Sequence, residues 1–251
     1  MLGRMIDLWR QAFSESKMVG WDFSCLDGRM TADEPWWDFE EDCRAEMARA
    51  RLIVDLGTGG GERLQALLGS DGVAARRIVA TEGWQPNVRI AREVLSASGV
   101  EVVQYDAERD SEMPFDNESI DLLMCRHEAI DAREIARILA PGGRLLMQQV
   151  DGYDAEEIHE WFDVPFEYPH VTAGHYVDEL ESAGLRIDQV NNWRGTMEFK
   201  DVTALVTYLA LVPWDAPCFT VDAHADQLAT LDASRPIRVT QRRFRVYAAK
   251  P

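Results

Sequence analysis

Along the middle of the chain, short apolar runs alternate with longer stretches that mix apolar and polar residues. Short apolar runs, such as residues 52–56, 77–81 and 120–125, are separated by stretches that suit helices. Apolar runs of this length, bounded by turn residues, are typical of buried strands, and strands that alternate with helices form parallel sheets. The pattern over residues 52–150 therefore predicts an α/β domain with a mostly parallel sheet.

The flanking segments also carry regular patterns. Residues 5–16 place Ile6, Trp9 and Phe13 at helical spacing, which predicts an amphipathic helix. Residues 237–248 alternate apolar and polar positions, which predicts a final strand. Further elements are predicted as helices at 40–49, 172–183, 202–211 and 223–231 and as a strand that begins at 185–190.

The domain organisation follows from these elements. A chain of 251 residues with 46% hydrophobic content can bury one substantial core. We expect residues 1–50 to form an N-terminal helical cap and residues 51–251 to form the main domain, with cap or lid insertions at about 151–171 and 191–222. The added segments are rich in aromatic side chains, which suit a small, partly apolar ligand or simply pack the cap onto the core.

A glycine-rich turn follows the first predicted strand of this sheet. The order is Asp55, Gly57, Gly59 and Gly61, with a helical segment directly afterwards. Glycines let the backbone adopt positive φ and approach a ligand closely, and a helix start offers unpaired N–H groups. The dinucleotide fingerprint would place a third glycine at position 62, which is Glu62, so the spacing disfavours a nicotinamide cofactor.

This acid-x-Gly-x-Gly-x-Gly order resembles motif I of the class I S-adenosylmethionine-dependent methyltransferases. The segments "MPFDNESIDLL" and "LAPGGRLLMQQV" are similar to later motifs of the same family, in the expected order. The resemblance implies a Rossmann-like fold with a seven-stranded, mostly parallel sheet, helices on both faces and an antiparallel last strand between the fifth and sixth strands. It also implies S-adenosyl-L-methionine as the cofactor, and that Pro141, Gly142 and Gly143 end the helix before the fifth strand.

Two acids at the ends of later strands complete the expected cofactor site. Glu82 ends the second strand about 20 residues past the glycines, where an acid can accept hydrogen bonds from both ribose hydroxyls. By the resemblance, Asp106 binds the adenine amino group and Ala107 contacts the ring. The complete predicted cofactor set is Asp55, Gly57, Thr58, Gly59, Gly61, Glu82, Gly83, Asp106, Ala107 and Arg126.

The end of the fourth strand supplies the candidate catalytic residues, because it is expected next to the methyl donor. His127 is the candidate general base, because the ordinary pKa of histidine, about 6.5, suits that role. Arg126 can bind an anionic acceptor, and Glu128 can orient His127. The alternative is a solvated loop and helix cap over the same three residues.

Charge bears on the choice of partner. The formal net charge is −18, which repels phosphate backbones and makes nucleic-acid binding unfavourable. The exception is the basic segment 235–251, which holds six Arg and Lys residues and no acid. We interpret it as an edge strand kept soluble by arginines, with an anion-binding strip as the alternative.

Cysteines and histidines are scattered without zinc-site spacing, so no metal site is predicted. No apolar run reaches the length needed to span a membrane, and the first residues lack the apolar core of a signal peptide. We therefore expect a cytoplasmic enzyme. The oligomeric state is not predicted by these patterns.

Together these features predict an S-adenosylmethionine-dependent methyltransferase that acts on a small-molecule acceptor. Two other functions stay open at this point. One is an RNA methyltransferase, for which Arg242 and Arg243 offer contacts. The other is a protein that binds the cofactor without turnover. The acceptor and the atom that is methylated are not indicated by the sequence.

Overall fold

A computed structural model describes residues 2–18, 22–69, 76–107 and 109–251. Its helices are α1 Leu2–Glu15, α2 Phe39–Met47, α3 Glu62–Leu68, α4 Gln85–Leu95, α5 Ala132–Ile138, α6 Glu156–Phe162, α7 Ala173–Ser182, α8 Val202–Leu211 and α9 Ala225–Ala233. Its strands are β1 Met30–Ala32, β2 Leu52–Leu56, β3 Arg77–Glu82, β4 Glu101–Gln104, β5 Ile120–Arg126, β6 Leu139–Val150, β7 Arg186–Phe199 and β8 Ile237–Ala249.

The chain divides into two compact units. The first unit contains residues 1–35, 151–170 and 193–243, and the second contains residues 36–150, 171–192 and 244–251. Strands β7 and β8 contribute residues to both. Each unit has its own hydrophobic core.

The second unit holds the parallel part of the sheet. Its strand order is β7-β8-β6-β5-β2-β3-β4, and β2 lies between β3 and β5 with parallel pairing on both sides. Asp55 is level with Ala80 of β3 and with Met124 of β5. The carboxyl ends of these three strands therefore meet at one edge, where α/β folds bind their ligands.

The last strand runs antiparallel to its neighbour β6. The Gly142 N–H donates to the Lys250 carbonyl in the second unit, and the Asp151 N–H donates to the Arg242 carbonyl in the first. Because the residue numbers rise along one strand and fall along the other, the two strands are antiparallel. Because β8 lies between β6 and β7, the expected place of the last strand is confirmed and its interpretation as an edge strand is wrong. Its arginines are held by acids of neighbouring segments, among them Glu198 for Arg238 and Glu156 for Arg242.

The first unit is organised around α8, which is apolar on nearly all sides and buried. Asp201 caps its first turn by accepting a hydrogen bond from the Ala204 N–H, so the helix begins where the sequence predicted. Trp9 of α1 belongs to the same core. Short strand β1 pairs antiparallel with the Met197–Phe199 end of β7, so the sheet has eight strands among the described residues and not seven.

The predicted end of the helix before β6 is also wrong. Helix α5 ends at Ile138, and the strand already begins at the buried Leu139, which is level with Ile120 of β5. A methyl group at Gly143 would lie 2.6 Å from the Ile120 carbonyl oxygen. Gly143 therefore allows a close approach of two backbones and Gly142 a positive φ of 78°, both at the irregular start of a strand and not at a helix end.

Candidate active site

The glycine turn joins β2 to α3 and has the predicted backbone conformation. Gly57, Gly59 and Gly61 have φ values of 71°, 63° and 86°, which side chains other than glycine rarely adopt. The Thr58 N–H donates to the Thr81 carbonyl at 2.8 Å, and Gly61 stands at the N-cap of α3. The turn is thus fastened to β3 and leads directly into α3.

Glu82 lies beside this turn and is almost fully buried. Its Oε2 accepts a hydrogen bond from the Gly59 N–H at 2.7 Å, and its Oε1 accepts one from the Trp84 N–H at 2.8 Å. Burial raises the pKa of Glu82, and these backbone donors oppose that rise. Each carboxylate oxygen keeps further acceptor capacity, as the predicted bonds to two ribose hydroxyls require.

Asp106 and Gly83 are brought next to Glu82. The Tyr105 N–H donates to the Glu82 carbonyl at 3.1 Å, and a methyl group at Gly83 would lie 2.8 Å from the Asp106 Cβ. Arg109 forms an ion pair with Asp106 at 3.3 Å. The ends of β3 and β4 therefore present both predicted nucleoside-binding acids along one edge, with Gly83 making the close approach possible.

Asp55 is the acid that precedes the turn. Burial raises the pKa of its carboxyl group from 3.8 to about 6, the Thr58 side chain opposes this rise, and the charge of Glu82 adds to it. Two buried carboxyl groups in one neighbourhood favour a cationic ligand, because a positive charge stabilises both in their ionised form. The residues at this edge therefore fit a cofactor that carries ribose hydroxyls and a positive charge.

The three candidate catalytic residues follow at the end of β5. Arg126 forms an ion pair with Glu40 of α2, with Nη1 and Oε1 3.1 Å apart. His127 is exposed, has a φ of 61°, and donates its backbone N–H to the Gln148 carbonyl at 2.9 Å. Glu128 crowds the turn: a methyl group at Gly57 would lie 2.5 Å from its Cγ.

These positions bear on the predicted roles. Arg126, His127 and Glu128 stand at the same sheet edge as the glycine turn, as expected. The carboxylate of Glu128 accepts a hydrogen bond from the Ala129 N–H at 3.1 Å. A role in orienting His127 stays a prediction.

Several residues at this edge were missed by the sequence analysis. The Trp37 indole N–H donates to Gln148 Oε1 at 2.6 Å, and Glu40 pairs with both Arg126 and Arg63. Both residues come from the segment before β2. The sequence predicted a helix over 40–49, and the structure shows α2 capped by Asp38, but nothing local predicts which distant residues this segment contacts.

Comparison with known proteins assigns a family to this arrangement. Residues 54–147 match the methyltransferase domain family. The uncharacterized methyltransferase YcgJ of Bacillus subtilis (strain 168) is 30% identical over 123 residues, which cover 46% of this chain and 45% of YcgJ. Residues 54–147 of this chain therefore carry a methyltransferase domain. The predicted family is thereby confirmed, and S-adenosylmethionine is the cofactor that this domain implies.

Solved structures support the fold of the methyltransferase domain. The crystal structure of YcgJ superposes with a TM-score of 0.58 at 16% identity and covers 84% of this chain and 97% of YcgJ. A SAM-dependent methyltransferase from Aquifex aeolicus has a TM-score of 0.50 at 16% identity, over 92% of this chain and 94% of that protein. The [4+2]-cyclase SpnF also has a TM-score of 0.50 at 16% identity, over 99% and 95%. Since one neighbour is a cyclase, the shared fold alone does not decide the reaction.

An open cavity of about 570 Å³ lies on the second unit. It is lined by Ala107, Ile130, Asp131, Ala132, Arg133, Asp178, Glu179, Ser182 and Ala183. Ala107 is the predicted cofactor residue in this lining, and the glycine turn is not part of it. The cavity therefore does not mark the place where the glycine turn and Glu82 meet.

Within residues 2–18, 22–69, 76–107 and 109–251, no group of three or more His, Cys, Asp or Glu side chains is placed to hold a metal ion. No helix within the same ranges is long and apolar enough to cross a membrane.

Proposed function

We propose that this protein transfers the methyl group of S-adenosylmethionine to a small-molecule acceptor. The observation that carries the proposal is the hydrogen bond between Glu82 and the Gly59 N–H, which joins the predicted ribose-binding acid to the glycine turn. This bond supports the proposal because it joins the two most specific parts of the motif.

The protein residues have distinct tasks in this proposal. The glycine turn and Asp55 bind the methionine part of the cofactor, Glu82 binds the ribose hydroxyls, and Asp106 with Ala107 binds the adenine. The cofactor supplies a methyl group that its sulfonium already activates. The protein therefore has to align the acceptor with that methyl group and exclude water.

The end of β5 contributes the groups that face the acceptor. His127 takes a proton from the acceptor where one must leave before or during attack. Arg126 binds an anionic part of the acceptor, and Glu128 sets the orientation of His127. The exposed side chain of His127 supports its role, because a general base has to be reachable by the acceptor.

We also propose that residues 1–50 form a cap and that the insertions at about 151–171 and 191–222 hold the acceptor. In support, most of these residues belong to one compact unit with its own aromatic-rich core. A cytoplasmic location stays a prediction.

RNA as the acceptor is less favourable. Arg242 and Arg243, the residues suggested for RNA contact, form ion pairs with Glu156 and Asp154. Breaking these pairs adds a cost to binding a phosphate backbone, on top of the net charge of −18.

The test is calorimetric titration of the protein with S-adenosylmethionine, S-adenosylhomocysteine and NAD. We expect micromolar binding of the first two ligands and none of NAD. Binding of NAD alone, or of none of the three, would contradict the proposal. Conversion of a small-molecule extract with release of S-adenosylhomocysteine then separates an enzyme from a protein that only binds the cofactor.

A further inference from the structure

Three arginines surround the carboxylate of Glu40 at the edge of the candidate active site. Arg63 and Arg126 each place Nη1 3.1 Å from the same oxygen, Oε1. Arg44 places Nη2 3.7 Å from the other oxygen, Oε2. Arg44 also pairs with Glu41 at 3.3 Å. Glu40 is therefore a carboxylate held by guanidinium groups from three places in the second unit.

This cluster lies next to the glycine turn. Arg126 ends β5 directly after Cys125, which is level with Leu56, the residue before Gly57. Arg63 is the second residue of α3, the helix that begins at the turn. Two arginines are thus fixed by elements that form the cofactor site, whereas Glu40 comes from the separate helix α2.

The charge of the cluster differs from that of the whole chain. Acidic residues outnumber Lys and Arg by 44 to 26 overall, yet here three arginines share Glu40 and Glu41. A guanidinium has five N–H donors and binds carboxylates in a fixed, often bidentate geometry. Arg63 and Arg126 each direct one N–H donor at the same oxygen of Glu40, Oε1.

The pairs with Glu40 are exchangeable. The side chain of Glu40 is 34% exposed, and those of Arg126 and Arg63 are 27% and 67% exposed. Ion pairs with this exposure are weak because water and salt screen them. A ligand carboxylate that enters the site can therefore replace Glu40 without a large penalty.

We propose that Arg63 and Arg126 form a carboxylate-binding site for a ligand of the enzyme, and that Glu40 occupies it as an internal substitute until the ligand binds. This inference rests on the proposed function and adds a chemical class to it. The carboxylate belongs either to the acceptor or to the amino-acid part of the cofactor. Ligands with and without the amino-acid carboxylate distinguish these two sources.

The first measurement is calorimetric titration with succinate, and with its neutral diamide as a control, at constant ionic strength. It uses the full chain without cofactor, and it is repeated at saturating S-adenosylhomocysteine. In the Glu40→Gln variant the internal competitor is lost, and we expect succinate to bind about two- to fivefold more tightly, the factor that matches a partly exposed ion pair. Glu41→Gln removes the same charge one residue away and should leave succinate binding unchanged.

The arginine variants test the site itself. Arg126→Gln and Arg63→Gln should both weaken succinate binding, while the diamide shows no dependence on either. Arg63 is largely exposed, so its replacement tests the site even where a variant at Arg126 fails to fold. Equal succinate affinity in wild type, Glu40→Gln and Arg63→Gln would overturn the inference.

A second pair of ligands identifies the source of the carboxylate. S-adenosylhomocysteine has an amino-acid carboxylate, and 5′-methylthioadenosine has none. If Arg63→Gln weakens the binding of S-adenosylhomocysteine but not of 5′-methylthioadenosine, the site binds the carboxylate of the cofactor. Where succinate still binds in the presence of saturating S-adenosylhomocysteine, the site belongs to the acceptor.

Failure of this inference is distinguishable from failure of the proposed function. If S-adenosylhomocysteine binds normally but succinate has the same affinity for the wild type and all variants, only the proposed carboxylate site is contradicted. Absence of S-adenosylhomocysteine binding in the wild type would instead contradict the methyltransferase function.

Discussion

The Glu82 carboxylate accepts a hydrogen bond from the Gly59 N–H at 2.7 Å, although the two residues are separated by 23 positions in the chain. The bond connects the end of β3 with the turn after β2. The other carboxylate oxygen of Glu82 accepts a hydrogen bond from the Trp84 N–H at 2.8 Å. The carboxylate is thus oriented before any ligand arrives, which reduces the entropy lost on binding.

Replacement of Glu82 should weaken cofactor binding. Glu82→Ala removes the predicted acceptor of the ribose hydroxyls, and we expect a loss of roughly 1.5–3 kcal/mol in affinity for S-adenosylhomocysteine, the range for a hydrogen bond to a charged group. Calorimetric titration measures this loss. Glu93→Ala, at an exposed position on α4, is the matched control and should bind normally. Equal affinities for both variants would remove Glu82 from the site.

A large side chain at Gly59 should abolish cofactor binding while the sheet stays folded. Gly59→Arg fills the turn with a side chain and also forces a non-glycine residue to a φ of 63°. The control has to carry the same backbone strain. Gly99 has a φ of 69° and nothing within 4 Å of an added Cβ, so Gly99→Arg is suitable. We expect both variants to give similar circular dichroism spectra, and only Gly59→Arg to lose S-adenosylhomocysteine binding. Retained affinity in Gly59→Arg would place the cofactor elsewhere.

The pKa of Asp55 predicts how stability depends on pH. Burial raises this pKa from 3.8 to about 6, so between these values the folded state binds more protons than the unfolded state. The contribution of Asp55 to stability is present below pH 3.8 and is lost as pH rises to about 6, with an upper limit of roughly 3 kcal/mol.

Asp55→Asn removes this pH dependence. We expect the difference in melting temperature, variant minus wild type, to increase between about pH 4 and pH 6 and to stay constant above that range. Thermal unfolding at several pH values, followed by circular dichroism without cofactor, measures it. A difference that does not change with pH would show that the Asp55 carboxyl group is not desolvated in the folded protein.

His127 can be tested without disturbing the backbone. It has a φ of 61°, a conformation that Asn tolerates better than most residues, so His127→Asn removes the imidazole with little added strain. With a proton-bearing acceptor, we expect kcat to fall about 10²- to 10⁴-fold, the typical contribution of a general base. The affinity for S-adenosylhomocysteine should stay the same. A variant with wild-type kcat would show that no base is needed at this position.

The sequence by itself determined the local parts of this protein. The order of Asp55 and the three glycines predicts the positive φ angles of the turn, because only the residues of that turn set its conformation. Glu82 was predicted as a candidate ligand-binding acid because it ends an apolar run that predicts a strand. Helix α8 was predicted with its observed bounds from its almost entirely apolar residues, and the structure shows Asp201 capping its start.

Only the tertiary structure decided which distant segments meet. The arginines of β8 led to the prediction of an edge strand. The structure instead places β8 between β6 and β7, with arginines paired to acids. The pairing of Glu40 with Arg126 and the eighth strand β1 had no local signal either. Turn conformation and helix capping depend on neighbours within a few residues, whereas strand order and ion pairs depend on the packing free energy of the whole chain.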